Sequence, residues 1–435
     1  MTSKLAAFAV VSVAFATALA VGAAAGARGS GSLDPSFGHG GRVVVNGIRE
    51  CLPGEGGCWA GIGMAIQRNG MIVTAGGTLD SDCGSRFAVA RLRKSGGADR
   101  AFGNRGRVLT AFGRSAVAHA VVVLPDNRIV VGGELLDTKS PCPDHLHLGD
   151  GKGFALARYR SDGALDPSFG SDGRVVTHFD EGAGFDLLLQ RDGKVVVVGT
   201  SNSHLALARY SRDGSLDQSF GEQGVVIGRF GSADFPAKAD LDQEGRILVP
   251  VDWCGGCPTY VVRYKADGRL DTTFGQRGRA ALVFWDLTAV AASHGKIVVA
   301  GLATQLRELR LAVAVSRLSS SGRLDRRFGR KGTRVLPLVG FGLPVLAIQK
   351  NGVILVASGT RPRGVKGMDD FNFTLTRIRP TGAVDRSFGR NGTVTDDFGG
   401  RDFGQAVAVQ PDGKLLVAGV VGPISNGIGL VRHLP

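Results

Sequence analysis

Apolar residues along this chain come in runs of four to seven, set apart by Gly, Asp, Asn and Pro, and the runs show no helical recurrence. Such a pattern predicts strands. Near the C-terminus, 405–410 reads as a first strand and 414–419 as a second, with Asp412-Gly413 between them as a type I′ hairpin signal. Earlier in the chain the same slot holds Asn69-Gly70, Asp126-Asn127, Asp192-Gly193, Glu244-Gly245, His294-Gly295 and Asn351-Gly352. A third strand carries an arginine near its end, as in 154–159 and 205–210, and a fourth follows a Phe-Gly, as in 173–179 and 224–230. Four antiparallel strands per unit is the make-up of a propeller blade.

The units are marked by a repeated motif, Asp-x-x-Phe-Gly-x-x-Gly, whose copies begin at Asp34, Asp99, Asp166, Asp217, Asp271, Asp325 and Asp385. Its phenylalanines are Phe37, Phe102, Phe169, Phe220, Phe274, Phe328 and Phe388, spaced 51 to 67 residues apart. Periods of this size belong to solenoids, propellers or arrays. The chain enters inside a unit, with a fourth strand at 41–46, and stops after a third strand at 429–434. Head and tail together make one more ordinary unit. The expected fold is therefore all-β, a single seven-bladed propeller of four-stranded antiparallel blades over 28–435. In it the N-terminal strand closes the ring by covering the outer edge of the C-terminal blade.

Stretches such as QPDGKLLVAG (410–419) and FALARYRSDGALDPSFGSDGRV (154–175) resemble the delta-60 repeat family, and the likeness extends over 32–435. That family consists of secreted or envelope-associated bacterial β-propellers, mostly without assigned activity. The resemblance implies a propeller and export, and it supplies no catalytic residues to carry over.

Composition sharpens this picture. The 435 residues include 67 glycines, about twice the usual share, without the three-residue period of collagen. A hydrophobic content of 43% excludes a disordered chain. Lys4, the apolar run 5–21 and the small residues Ala25-Gly26-Ala27 read as a signal peptide over 1–27, cleaved near Ala27, which predicts a secreted or envelope-associated protein. The run is 17 residues, the low limit for crossing a bilayer, so an uncleaved anchor stays open; no transmembrane span is expected after residue 27. The formal charge of +14 attracts anions such as cell-wall polymers, nucleic acid or a membrane surface, or serves solubility alone. The basic residues form no run of five.

Six cysteines suit an oxidising compartment. Fifteen connectivities are open; proximity and topology favour Cys254–Cys257, Cys51–Cys58 and Cys83–Cys142. A redox role for Cys254-Gly-Gly-Cys257 lacks a surrounding βαβ pattern, and a zinc site built from two Cys-x-x-Cys pairs is excluded by the spacing.

Each third strand carries an arginine, Arg91, Arg158, Arg209, Arg263, Arg317, Arg377 or Arg432, and each following turn carries the motif aspartate. Equal numbers suggest one Arg–Asp pair per blade, with a ligand-binding ring of arginines as the sharper alternative. The repeated Phe is expected to pack between blades. Function should lie where the units differ. The departures are the connection 46–61 and the loops 77–85, 134–153, 252–258, 302–310 and 359–372, which propeller topology places on one face with all the cysteines and Trp59, Trp253 and Trp285. Trp253 and Trp285 beside Asp252 and Asp286 are a candidate sugar platform. Asp144, His145, His147 and Asp150 are candidate ligands of a divalent metal, calcium or zinc, with Asp80 and Asp82 as further oxygen donors. His119 stands at a first-strand start with no nucleophile to name beside it, and Gly-x-Ser-x-Gly, His-Glu-x-x-His and Walker motifs are missing. The expectation is an exported, monomeric, non-catalytic binding or scaffold propeller that engages envelope polysaccharide or another exported protein. The alternatives are a metal-dependent lactonase- or esterase-like hydrolase at the channel mouth and a non-specific polyanion binder.

Overall fold

A computed structural model describes residues 29–48, 62–79, 85–113, 115–136, 151–231, 233–252, 259–305, 310–339, 342–361, 370–422 and 427–435. Among them the regular structure is all β, without a helix, in successive four-stranded antiparallel groups. The first group runs Gly63–Ile66, Ile72–Leu79, Ser85–Leu92, Arg107–Thr110, each strand paired with the next. One parallel pairing, Gly182 with Lys152, joins two groups into a wider sheet. The last group takes its fourth strand from the other end of the chain. Arg42–Asn46 lies along Gly427–His433, with Val44 opposite Gly429.

Middle strands are buried on both faces, as in Val195–Ser201 and Leu415–Val421, because each group is sandwiched between two others. The core is accordingly a series of layers. One layer joins Phe37, Ile72 and Ala88 to Leu416, Ala418 and Ile428, so the first group packs on the last. The outer strand Arg42–Asn46 buries only Val45, as an edge position allows.

Six of the seven hairpins depart from the type I′ expectation. At Asp412-Gly413 only Gly413 has positive φ (+84°), and its N–H bonds the Gln410 carbonyl at 2.9 Å while Gln410 N–H bonds Lys414 O at 2.8 Å. That is a type I turn followed by a left-handed glycine bulge. Its cause is the first of the three loop residues, Pro411, which presets the first turn position. The Asp or Asn before the glycine accepts an N–H from two residues on, 3.1 Å at Asp192 and 3.2 Å at Asn351. Of the seven, His294 (φ +50°) and Gly295 (φ +68°) alone form the two-residue turn with both φ values positive.

The motif residues join neighbouring groups. Each of the seven arginines pairs with its motif aspartate at 2.7–3.0 Å. Each guanidinium also lies 4.4–4.8 Å from the centre of its motif Phe ring. Arg158 further donates to the carbonyl of Arg212, Arg263 to that of Ser320 and Arg432 to that of Lys94, each in the next group. The guanidinium groups are enclosed by these contacts, which leaves little for a ligand-binding arginine ring.

Burial acts to raise the Asp34 carboxyl, but hydrogen bonds from Lys414 and Ser36 and the charge of Arg432 outweigh it and hold it well below the usual carboxylate range. Asp217 is held down in the same way by Lys194, Ser219 and Arg209. Backbone bonds repeat between groups as well: Gly38 N–H to Ser95 O at 2.7 Å, Gly103 N–H to Asp162 O at 2.7 Å and Gly389 N–H to Ser30 O at 3.0 Å. Against the Phe37 ring the next group presents Gly96, at φ +90°, whose added Cβ would stand 2.9 Å from a ring carbon.

The first strands are the irregular ones. They carry an extra residue at His119, Phe185, Thr288 and Gln405, where the register shifts. In a fifth, Phe235–Pro236 and Asp240–Leu241 are separated by a stretch that leaves its own sheet. There Lys238 pairs in parallel with Ala289 of the next group. Bulges bend a strand and re-aim its side chains.

Candidate functional site

The expected site lies partly outside the described residues. All six cysteines, Trp59, Trp253, Asp80, Asp82, Asp144, His145, His147, Asp150 and the segment 1–27 fall there. The disulfide, metal and signal-peptide expectations therefore have no structural counterpart below. Among the described residues no group of three His, Cys, Asp or Glu is placed to hold a metal ion, and no helix is long and apolar enough to cross a membrane.

What the structure does bring together is Asp252 and Asp286. Asp252 ends the strand Ile247–Asp252 and Asp286 begins Asp286–Ser293 in the next group. Their carboxyl groups lie within interaction reach of each other. Burial raises the Asp286 carboxyl above its ordinary range, and the interaction with Asp252 offsets only part of that.

Beside this pair the chain alternates outward and inward: Val283 is 97% exposed, Phe284 is buried and Trp285 is 43% exposed. Phe284 packs in a core layer with Leu287 and Leu248, and Trp285 N–H bonds Leu302 O at 2.7 Å, so the backbone under the indole is anchored. Phe235, 41% exposed, stands opposite Asp252 in the strand register. An acid pair with exposed Trp285, Phe235 and Val283 can offer apolar contact, a hydrogen-bond donor and acceptors within one small area.

A second polar cluster sits on the innermost strands, and the strand pattern gave no sign of it. His119 is buried, with Nε2 3.1 Å from Glu134 Oε1 and Nδ1 without a partner. The Lys238 ammonium reaches across two groups to the carbonyls of His119 (3.4 Å) and Phe185 (3.5 Å) and to Asp186 Oδ1 (3.5 Å). Asp186 Oδ2 accepts Ala239 N–H at 2.9 Å, and Asp240 Oδ2 accepts Ala292 N–H at 2.8 Å. Burial pushes the Asp240 carboxyl up to about 6, against its backbone hydrogen bonds and with help from the charges of Asp186 and Asp242. These side chains satisfy the backbone groups that bulges leave unpaired. The sequence signal that could have found them is polar residues inside first-strand runs, Lys238 and Asp240 above all.

Two stretches of the chain match a family. Residues 147–169 and 190–220 match the one described as domain of unknown function (DUF5122) beta-propeller. No curated protein matches the chain. Among solved structures, the polysaccharide lyase Uly1 is similar at 10% identity and a TM-score of 0.46, over 90% of this chain and 98% of that one. A gluconolactonase from Xanthomonas campestris is similar at 14% identity and a TM-score of 0.38, over 77% and 92%. A protein of unknown function from Bacteroides caccae has 16% identity and a TM-score of 0.36, over 62% and 80%. Likeness at this level carries no activity across.

Proposed function

We propose that this protein is an exported seven-bladed β-propeller that acts as a non-catalytic binding module, with a carbohydrate held at Trp285, Asp252 and Asp286. The propeller reading is supported by the strand that the N-terminal segment lends to the last group and by the glycine-to-carbonyl bonds that run from Gly38 through to Gly389 and back to Ser30. Export rests on the segment 1–27 alone.

The observation that carries the binding reading is the exposed Trp285 next to the carboxyl pair of Asp252 and Asp286. The apolar face of a sugar ring stacks on an indole, while its hydroxyls meet the carboxyl oxygens. Burial that raises the Asp286 carboxyl favours its neutral form, so a neutral sugar suits the pair better than an anionic one.

The test is binding of the protein to a panel of neutral and acidic envelope glycans at low and high salt. Retention of one glycan at high salt, weakened about tenfold or more by Trp285→Ala, is the expected result. Failure of every neutral glycan to bind at high salt, or neutral-glycan binding that ignores Trp285→Ala, would sink the reading.

A further inference from the structure

We propose that the turns of the motifs at Asp271, Asp325 and Asp385 form a docking surface for a linear polysaccharide carrying carboxylate or sulfate groups. This goes beyond the Trp285 site, since it uses other residues at the opposite ends of the strands.

The inference starts from which motif positions are free to vary. In every copy of Asp-x-x-Phe-Gly-x-x-Gly, the Phe and the final Gly are buried and the four x positions are exposed. The second x is a Ser or Thr bonding the motif aspartate in five copies, as at Ser168 and Ser387, while the other three x positions carry no repeated side-chain contact to the scaffold. In the Asp325 motif all four are cationic: Arg326, Arg327, Arg330 and Lys331. The neighbouring motifs add Arg277 on one side and Arg386 and Arg390 on the other. These three motifs thus hold seven cations and no acid at their x positions, whereas the other four motifs together hold two cations, Arg100 and Arg105, and two acids, Asp172 and Glu222. A charge spread evenly for solubility would not collect on consecutive turns.

The turns are contiguous. Gly275 N–H bonds Ser321 O and Gly329 N–H bonds Thr381 O, both at 2.9 Å, so each turn abuts the next group. None of the seven side chains forms an ion pair among the described residues. The carboxylates nearest in sequence are already matched, Asp325 by Arg317 and Lys296 and Asp385 by Arg377 and Arg379. The positive field is uncompensated.

The side-chain chemistry selects the partner. Guanidinium groups bind carboxylate and sulfate in bidentate fashion. The exposed large apolar residues of this sector are Leu324 and Val335, and its phenylalanines are buried under arginines, so no aromatic platform is offered for stacking nucleic-acid bases. The turns are short, with no helix or ribbon standing out to enter a duplex groove. One exposed Leu is a poor membrane anchor. A flexible anionic chain can lay its charges along successive turns.

The experiment is titration of the protein with a heparin oligosaccharide of defined length at about 50 and about 200 mM salt. The sector variant combines Arg326→Ser, Arg327→Ser, Arg330→Ser and Lys331→Asn. A control of equal net charge combines Arg68→Ser, Arg93→Ser, Arg100→Ser and Arg105→Asn. The sector variant should weaken binding about tenfold or more and flatten its salt dependence, and the control should change it less than about threefold. Lys331→Asn alone should weaken binding while leaving the melting temperature unchanged or raised, which separates lost contact from lost fold. Equal losses in sector variant and control would assign the binding to net charge and overturn the proposal. So would no heparin binding at the lower salt, or tighter binding of a DNA duplex or of anionic lipid vesicles at matched charge. Trp285→Ala should leave heparin binding unchanged, so this surface and the loop-side site stand or fall separately.

Discussion

Tyr159, Tyr210 and Tyr264 end the third strands of three consecutive groups, yet their hydroxyls meet different surroundings. Tyr159 is 2.7 Å from Thr110 Oγ1 and Tyr210 is 2.6 Å from Thr177 Oγ1, each threonine lying on the fourth strand of the preceding group. At the matching place Tyr264 meets Gly228, whose added Cβ would stand 2.4 Å from the hydroxyl, and the hydroxyl is buried without a partner among the described residues. Removing a satisfied hydroxyl costs about 1 kcal/mol, whereas removing an unsatisfied buried one relieves a desolvation penalty. Tyr210→Phe should therefore lower the denaturant midpoint and Tyr264→Phe should leave it unchanged or raise it; a drop of equal size in both would show that Tyr264 has a partner after all. The Arg, Asp and Phe of each motif could be read from the sequence because they recur seven times. The Tyr–Thr pairs could not, because the partner sits in the preceding repeat and is missing in the third case.

At the scale of the element, the first strands depart furthest from their sequence pattern. They read as apolar runs broken by single polar residues, but their register is settled by neighbours from other repeats. Lys238 N–H bonds Thr288 O at 3.1 Å, and Val290 N–H bonds Lys238 O at 3.0 Å. Pro236 brings no N–H to its own sheet, which eases the departure. In the short strand Asp240–Leu241 this arrangement largely withdraws a carboxyl from solvent, and a pH dependence follows.

Because the Asp240 carboxyl is raised to about 6, the folded protein keeps a proton there that the unfolded chain releases above about pH 4. This contribution makes stability rise as pH falls from about 7 to about 5. The carboxyls of Asp34 and Asp217 are shifted the other way, so their contribution is complete above about pH 4 and lost only on further acidification. Thermal melts should accordingly show higher stability near pH 5 than near pH 7. Asp240→Asn should flatten that difference, and an unchanged slope in the variant would place its origin in other raised carboxyls, Asp286 or Asp402.

For the whole molecule, the closing contacts repeat those between interior groups. Arg432 pairs with Asp34 at 2.8 Å and stacks on Phe37, as Arg158 does with Asp166 and Phe169. His433 adds contacts that hold both termini, 2.9 Å to Gly31 O and 2.9 Å to Asp396 Oδ2. The N-terminal segment thus supplies a strand, an ion-pair partner and a packing ring at once. Deleting residues 29–46 should strip Arg432 of its ion-pair and stacking partners and expose the strand edge of Gly427–His433. The expected readout is a large fall in melting temperature with concentration-dependent aggregation. A truncated protein that melts as the full chain does would contradict the proposed closure.

The sequence by itself determined that the chain is all β, that it is built from four-strand units and which residues recur in each unit, because turn chemistry and strand length are local and the motif is written out seven times. It also contained the cluster of cations on three consecutive motifs, although reading that cluster required knowing that the x positions are exposed. Tertiary structure decided what depends on two repeats at once: the bulged registers of the first strands, the inner cluster of Lys238, Asp186 and His119, and the meeting of Asp252 with Asp286. Those contacts join side chains from different units, and the angle at which one sheet stacks on the next is set by packing across the whole interface. The local pattern of apolar and polar positions does not encode it.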